Sequence, residues 1–348
     1  MTTEKTLLNL GFDPGNGALK FYGPRGGLQT LSQIAANGAH GVTRITGLRA
    51  SKPPMQIQVD GRSFYVGEGA HDWGRPVESL DYERLTGTPE MIAMFCGALT
   101  RYAQAFGAPD VPLALTVGLP HEMMQGDDAK SNAAAVKSWM EGAHTWRADD
   151  TTYSTHVAEV RVTSQAVGAL FDYLMDDEGK FVPARKAHFK SEVGVLSVGF
   201  NTVELLVVRN KTAVQRFTAG ATVGVRRLLE LVNRGNLYSL GELDTRLRAG
   251  QLDVVAQLPV WEREITGFVE KQWGATWRRF SAVLLVGGGA ILLKDTLPLR
   301  FTGKAIVPDN PVLAIARGLC KLGLTQRKRT KAESQDDDKD ADVQDPSD

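Results

Sequence analysis

Residues 7–23, LLNLGFDPGNGALKFYG, decide how the rest of the chain is read. An apolar run from Leu7 to Phe12 ends on one carboxylate, Asp13, and the turn residues Pro14, Gly15, Asn16 and Gly17 lead to Lys20, Phe21 and Tyr22. The pattern predicts strand, tight turn, strand. Glycines at 15 and 17 permit positive φ and a close approach to a ligand, so the turn's amides can converge on an anion. Asp13 at a strand end suits a hydrated Mg²⁺, and Lys20 suits a phosphate as a point charge. A nucleoside triphosphate would satisfy all of these groups. A solvated hairpin with ordinary surface charges accounts for the same residues, because the turn is neither a Walker loop nor the dinucleotide fingerprint.

Composition narrows the field. The 348 residues suffice for two domains with sizeable cores, and the formal charge of zero gives no electrostatic case for direct nucleic-acid binding. Cys96 and Cys320 lie far apart with no metal-type spacing and are expected as buried, reduced thiols. The segment MTTEKTLLNL has no signal-peptide pattern, and the longest apolar run, 282–293, is broken by three glycines and too short to span a bilayer. The expected location is cytoplasmic, with no membrane partner.

Outward from the first hairpin, residues 24–60 are Gly-rich and read as irregular or small-strand structure. MQIQVDGRSFYVG, 55–67, is a hairpin around Asp60-Gly61. Residues 89–106 place Ile92, Phe95, Leu99, Tyr102 and Phe106 on one helical stripe. A buried strand follows in VPLALTVGLP, 111–120, then a helix over about 127–140 in which Trp139 is packed. Residues 156–175 repeat strand and helix, with Ser164 as the expected cap and Gln165 in the first turn. A glutamine there is either a solvent-facing polar residue or one that orients water for attack on a phosphate.

The opening layout recurs in EVGVLSVGFNTVELLVVRNKTAVQRF, 192–217: strand, a turn at Gly199, Phe200 and Asn201, strand, a turn at Asn210 and Lys211, strand. Two such turns suggest two similar subdomains facing across a cleft, where ligands commonly sit. Helices are expected after Gly220, around 240–249 and over 259–280, the last with a core stripe of Trp261, Ile265, Phe268 or Val269, Gln272 or Trp273, and Trp277. AVLLVGGGAILLKD, 282–295, is a buried strand, then Gly287, Gly288 and Gly289, then a helix start. Such glycines let a flat ring or sugar lie on the backbone. A final strand, the helix start Asp309-Asn310-Pro311 and a helix made small on one face by Ala314 and Gly318 close the core. Residues 325–348 are nearly devoid of apolar side chains and are expected to be a disordered charged tail.

In order, DPGNGALK, the Gln165 helix, SVGFNTVE, VGGGAILLKD and NPVLAIARG resemble the five nucleotide-site segments of the actin, Hsp70 and sugar-kinase superfamily. FYVGEGA, 64–70, and LTVGLP, 115–120, are similar to bacterial and archaeal actin-like proteins of the ParM/StbA type. The resemblance covers about residues 7–323. It implies an α/β actin-like ATPase fold of two similar RNase H-like domains around a nucleotide cleft. These are 1–182, with a small inserted subdomain at about 24–88, and 183–324, with a reduced outer part at about 235–259.

The resemblance also implies roles. Asp13 would bind Mg²⁺ through water, Gly15, Asn16 and Gly17 would cradle phosphates, and Lys20 would contact them. Gln165 would position the attacking water, and Gly199, Asn201 and Thr202 would form the second phosphate loop. Gly287, Gly288 and Gly289 would bracket the adenosine, and Ala314 and Gly318 would lie at a hinge. The family's second loop usually opens with Asp, paired with an acidic residue seven positions on; here these positions hold Ser197 and Glu204. A serine brings no negative charge to the metal shell, so hydrolysis is expected to be slow unless another carboxylate compensates.

The implied function is an ATP- or GTP-dependent, Mg²⁺-dependent filament-forming protein of plasmid or DNA segregation, with itself as partner and a DNA-binding adaptor of the ParR type. Two other classes use the same fold: a small-molecule kinase, which needs a carboxylate base beside an acceptor pocket, and a monomeric ATP-gated binding protein.

Overall fold

The computed structural model describes residues 6–37, 52–78 and 81–326. The expected disordered tail beyond 326 and residues 38–51 of the Gly-rich stretch lie outside the described residues.

Strands β1 (Leu8–Pro14), β2 (Ala18–Gly23) and β3 (Gly26–Leu31) form an antiparallel meander. Its apolar alternation points one way, where Phe12 and Phe21 stack at 4.4 Å. Short strands β4 (Ile34–Asn37), β5 (Met55–Val59), β6 (Arg62–Val66) and β7 (Gly74–Pro76) follow. Asp60 and Gly61, both at positive φ (49° and 72°), turn β5 into β6 as the sequence requires.

Helix α1 (Pro89–Phe106) has the bounds its stripe predicts, with Thr88 accepting a bond from the Met91 amide as N-cap. Strand β8 (Leu113–Leu119), helix α2 (Ala129–Met140), β9 (Gly142–Ala148), β10 (Thr151–Ser164) and α3 (Gln165–Leu174) complete the first half. The ten strands form one sheet ordered β3-β2-β1-β8-β10-β9-β5-β6-β4-β7, with β8 parallel to both β1 and β10.

After the single turn α4 (Pro183–Lys186), the second half opens with β11 (Glu192–Val198), β12 (Val203–Arg209) and β13 (Thr212–Ala213). β14 (Ala219–Ala221) also pairs with β12, which the sequence pattern did not suggest. Helices α5 (Val225–Val232), α6 (Leu240–Arg248) and α7 (Leu258–Trp273) precede β15 (Ala282–Val286), α8 (Gly288–Leu292), α9 (Leu297–Arg300) and β16 (Ala305–Ile306). A last helix, α10, runs over 314–326, its start held by Asn310 Oδ1 accepting from the Leu313 amide.

The second sheet, β13-β12-β11-β15-β16, repeats the order of β3-β2-β1-β8-β10: a meander, then two parallel strands. The duplication read from the two hairpins is thus a duplication of sheets. Strand alternation assigns each sheet two faces. In the first, Leu10 and Phe12 join the core under α1, while Asn9, Gly11 and Asp13 take the opposite face. In the second, Leu196, Val198, Val203, Leu205 and Val207 pack with α5, α7 and α8. Trp261 and Trp273 in α7 are core, each donating its indole N–H to a carbonyl, of Val223 and Phe217.

The inner face of the second sheet, with Val193, Val195, Leu206 and Val208, meets α3 and α10. α10 also lies against the first sheet, since a Cβ on Gly11 would overlap the Ala316 carbonyl. Two helices are therefore layered between two sheets, and alternation aims Asp13, Ser197 and Glu204 toward the space between them.

Candidate functional site

A cavity of about 420 Å³ opens between the two sheets at the ends of β1, β8 and β11. Its wall includes Asp13, Pro14, Gly15, Asn16, Gly17 and Lys20 from the first hairpin, and Ser197, Gly199, Phe200, Asn201 and Thr202 from the second. The two glycine corners therefore face one another across one space. They touch, because a Cβ on Gly17 would come within 2.8 Å of the Phe200 side chain.

The structure corrects the reason for glycine here. Neither Gly15, Gly17 nor Gly199 is among the glycines at positive φ. Close approach is the requirement: a Cβ on Gly15 would stand 2.7 Å from Lys20 Nζ and 2.8 Å from the Ala18 carbonyl.

The corners' carbonyls are tied back into the protein. Pro14 C=O accepts from Arg84, Gly15 C=O from the Ser32 hydroxyl (2.7 Å) and Gly17 C=O from the Ser32 amide (3.1 Å). In the second corner, the carbonyls of Gly199, Phe200 and Asn201 accept from the amides of Val225, Arg226 and Gly224 at the start of α5. The negative ends of these dipoles are thus engaged by the protein's own donors.

Asp13 is buried and opposite Lys20 in the β-ladder, so Lys20 Nζ lies 3.1 Å from one carboxylate oxygen. Gln165, first residue of α3, donates from Nε2 to the other at 2.7 Å. Ser164 occupies the N-cap position, but its hydroxyl makes no capping bond, contrary to expectation; it is buried without a partner among the described residues. The backbone turn from β10 into α3 positions Gln165 without it.

Among the described residues no three His, Cys, Asp or Glu side chains are placed to hold a metal. Mg²⁺ in general keeps several waters and takes phosphate oxygens plus one or two carboxylates. Asp13 offers the carboxylate, its oxygens now engaged by two side-chain donors that an incoming cation and phosphate would rearrange.

Ser197 and Glu204 pair across β11 and β12. Glu204 is fully buried, accepts from the His121 amide at 2.8 Å through Oε1, and has no partner for Oε2 among the described residues. Burial pushes its pKa up to about 7; the His121 bond opposes this, while Asp13 and Glu122 add to it.

The other end of the cavity is apolar, lined by Gly287, Gly288, Ile291, Leu292, Val312 and Ile315. Gly287 has φ 91°, and a Cβ there would overlap the Val198 carbonyl, whereas a Cβ on Gly288 would meet open space. Gly289 does not line the cavity; it lets α8 close on Val198 and Trp261. Ala314 and Gly318 lie on α10 where it crosses α3, and a Cβ on Gly318 would overlap the Gly168 carbonyl.

Sequence reasoning missed four polar lining residues. Tyr82 sits in the 3₁₀ turn 82–86, and burial beside Glu122 raises its pKa. Gln29, Asp244 and Arg248 close the cavity from β3 and α6, with Arg248 Nε 2.9 Å from Asp244. The one local signal was the capping box Ser239-x-x-Glu242, which marks where α6 begins but not where it docks.

Residues 11–168 match the family model described as the N-terminal domain of actin-like proteins. A search of curated proteins returned no match. Among solved structures, the chain is similar to the apo psk41 ParM protein, at 15% identity and TM-score 0.69, covering 93% of this chain and 99% of that one. It is similar to the archaeal actin homologue Ta0583 in complex with ADP, at 18% identity and TM-score 0.68, covering 90% and 98%. It is also similar to the subunit of a 15-stranded ParM filament from Clostridium botulinum, at 17% identity and TM-score 0.65, covering 91% and 99%. The fold is actin-like, and the first half carries the actin-like N-terminal domain.

Proposed function

We propose that this actin-like chain binds a nucleoside triphosphate with Mg²⁺ between its two glycine corners, hydrolyses it slowly, and assembles with copies of itself into filaments. The observation that carries the reading is the single cavity into which Asp13, Lys20, Gly15–Gly17 and Gly199–Thr202 all open. The apolar end at Gly287 and Gly288 suits a purine ring, and the corner end suits a triphosphate.

A bound Mg²⁺ would withdraw charge from the phosphate oxygens. Asp13 would hold it through water, and Lys20, released from Asp13, would turn to the phosphates. Gln165 keeps its carbonyl end to orient a water, and Ser197 adds a hydroxyl but no charge. Glu204 would take up the proton this water loses. A base behind a serine, in place of a carboxylate on the metal shell, is the physical reason to expect slow turnover.

Assembly is supported by the likeness to a filament subunit, and segregation of plasmid DNA through a ParR-type adaptor is the cellular role we assign. No helix among the described residues is long and apolar enough to cross a membrane; a cytoplasmic site of action is part of the role we assign. We put the domain boundary near residues 182 and 183 as part of the same proposal.

The test is sedimentation and light scattering with Mg-ATP and Mg-GTP. Nucleotide-dependent polymer is expected, and its absence at every concentration tried overturns the assembly reading. Asp13→Ala is expected to abolish Mg²⁺-dependent nucleotide affinity; unchanged binding removes Asp13 from the site.

A further inference from the structure

Arg84 sits behind the first glycine corner, outside the lining of the main cavity and on a second one of about 250 Å³ that it shares with Asn16, Ser32, Asp81, Glu83 and Glu90; in the site described above it only ties back the Pro14 carbonyl. Only 6% of its surface is exposed, and its Nη2 donates to the Pro14 carbonyl at 2.9 Å. Its Nη1 reaches only the Met91 sulfur at 3.5 Å, and its Nε has no partner among the described residues. No carboxylate lies within ion-pair distance of it among those residues. Its nearest counter-charge is Asp13, which Lys20 already shares.

A guanidinium buried this way is costly to desolvate and is normally repaid by a bidentate carboxylate or phosphate. Tying back one carbonyl does not require it, since a neutral donor does that at far lower cost. Nor is the placement incidental. Asp81 caps the 82–86 turn, the Trp139 indole N–H bonds the Leu85 carbonyl, and Gly87 lies against the Trp139 ring, so the turn is fixed on both sides of Arg84.

We infer that Arg84 is a positioning residue of the phosphate site, holding the Pro14 corner from behind while its charge is neutralised by the polyphosphate that the corner receives. The inference rests on the nucleotide reading of the main cavity and adds to it a dependence on ligand charge. Burial without a carboxylate pulls the Arg84 pKa down to about 10, so it remains cationic at neutral pH. A residue that only shaped the corner could be exchanged for a neutral donor to the Pro14 carbonyl, as in Arg84→Gln, without loss of ATP affinity. A buried charge acts in proportion to the phosphates it faces.

Calorimetric titration of the full chain with AMP, ADP and ATP separates these roles. Arg84→Met is expected to lose affinity in the order ATP, ADP, AMP, with a loss of about tenfold for ATP. Arg84→Lys, which keeps the charge, is expected to preserve the wild-type ratio of ATP to AMP affinity. Should Arg84→Met not fold, Arg84→Gln keeps a donor for Pro14 without the charge and carries the same test. An equal loss for all three nucleotides, or none, overturns the inference. Wild-type protein that binds none of them overturns the nucleotide reading itself, and the inference with it.

Discussion

At the scale of single residues, Glu204 makes the sharpest statement about pH. Its pKa rises from the ordinary 4.5 to about 7 because folding removes its carboxylate from water. The folded state therefore binds more protons than the unfolded chain between these values, and stability must fall as pH rises through that window. The span corresponds to a loss on the order of 3 kcal/mol, complete above about pH 7. Glu204→Gln is expected to flatten this dependence, read as thermal midpoints at about pH 5 and about pH 8. If Glu204 also accepts the proton of the attacking water, phosphate release by the wild type rises through about pH 7 and that rise is missing in the variant. A variant that keeps both dependences assigns them to another group. Glu204 and Ser197 were legible as a pair only through the family resemblance, and the structure supplies the reason: β11 and β12 set them directly opposite one another. Tyr82 and Arg84 were not, since DYERL carries no local pattern and gains its meaning only from where α1 and α2 pin it.

At the scale of elements, α6 belongs to the second half of the chain yet is fastened to the first. Gln33 Nε2 donates to the Gly241 carbonyl at 2.9 Å and to the Thr245 hydroxyl at 2.7 Å, and the Gly241 amide donates to Glu78 at 3.1 Å. His71 leaves no room for a Cβ on Gly241, and burial lowers its pKa, so it is neutral where it packs. The same helix presents Asp244, Leu247 and Arg248 to the cavity, so a nucleotide leaving on that side must part these bonds. Gln33→Ala removes two of them and is expected to speed nucleotide release about tenfold. Stopped-flow displacement of a fluorescent nucleotide measures this, and an unchanged rate places the exit elsewhere. The bounds of α1 were readable from its apolar stripe, and α6 was expected over about the residues it occupies. The docking was not, because its partners stand 208 and 212 residues apart in sequence.

At the scale of the whole molecule, the duplicated sheets are joined by two helices whose backbones meet. A Cβ on Gly318 would overlap the Gly168 carbonyl and stand 2.6 Å from the Asp172 amide. These are backbone atoms, which no rotamer change can move. Beside the contact, Asp172 takes a bidentate bond from Arg317, both at 2.6 Å, and a further one from Lys321 at 3.0 Å. α3 and α10 are thus held at one close crossing, and any change in cleft width has to turn about it. Ala314 and Gly318 announced a small helix face in sequence, but the partner of that face, Gly168, became visible only once both helices lay between the sheets. Gly318→Ala is expected to cost about 1–3 kcal/mol in stability, because the crossing must widen to admit one methyl group. Gly267→Ala is the matched control: it lies within α7, a Cβ there meets nothing within 4 Å, and the exchange is expected to stabilise by up to about 1 kcal/mol through helix propensity. Denaturant midpoints of the two variants should therefore move in opposite directions. If assembly depends on the angle between the sheets, polymer formed with Mg-ATP falls in Gly318→Ala and is retained in Gly267→Ala. Equal behaviour of the two would mean that the crossing is not where the two halves are coupled.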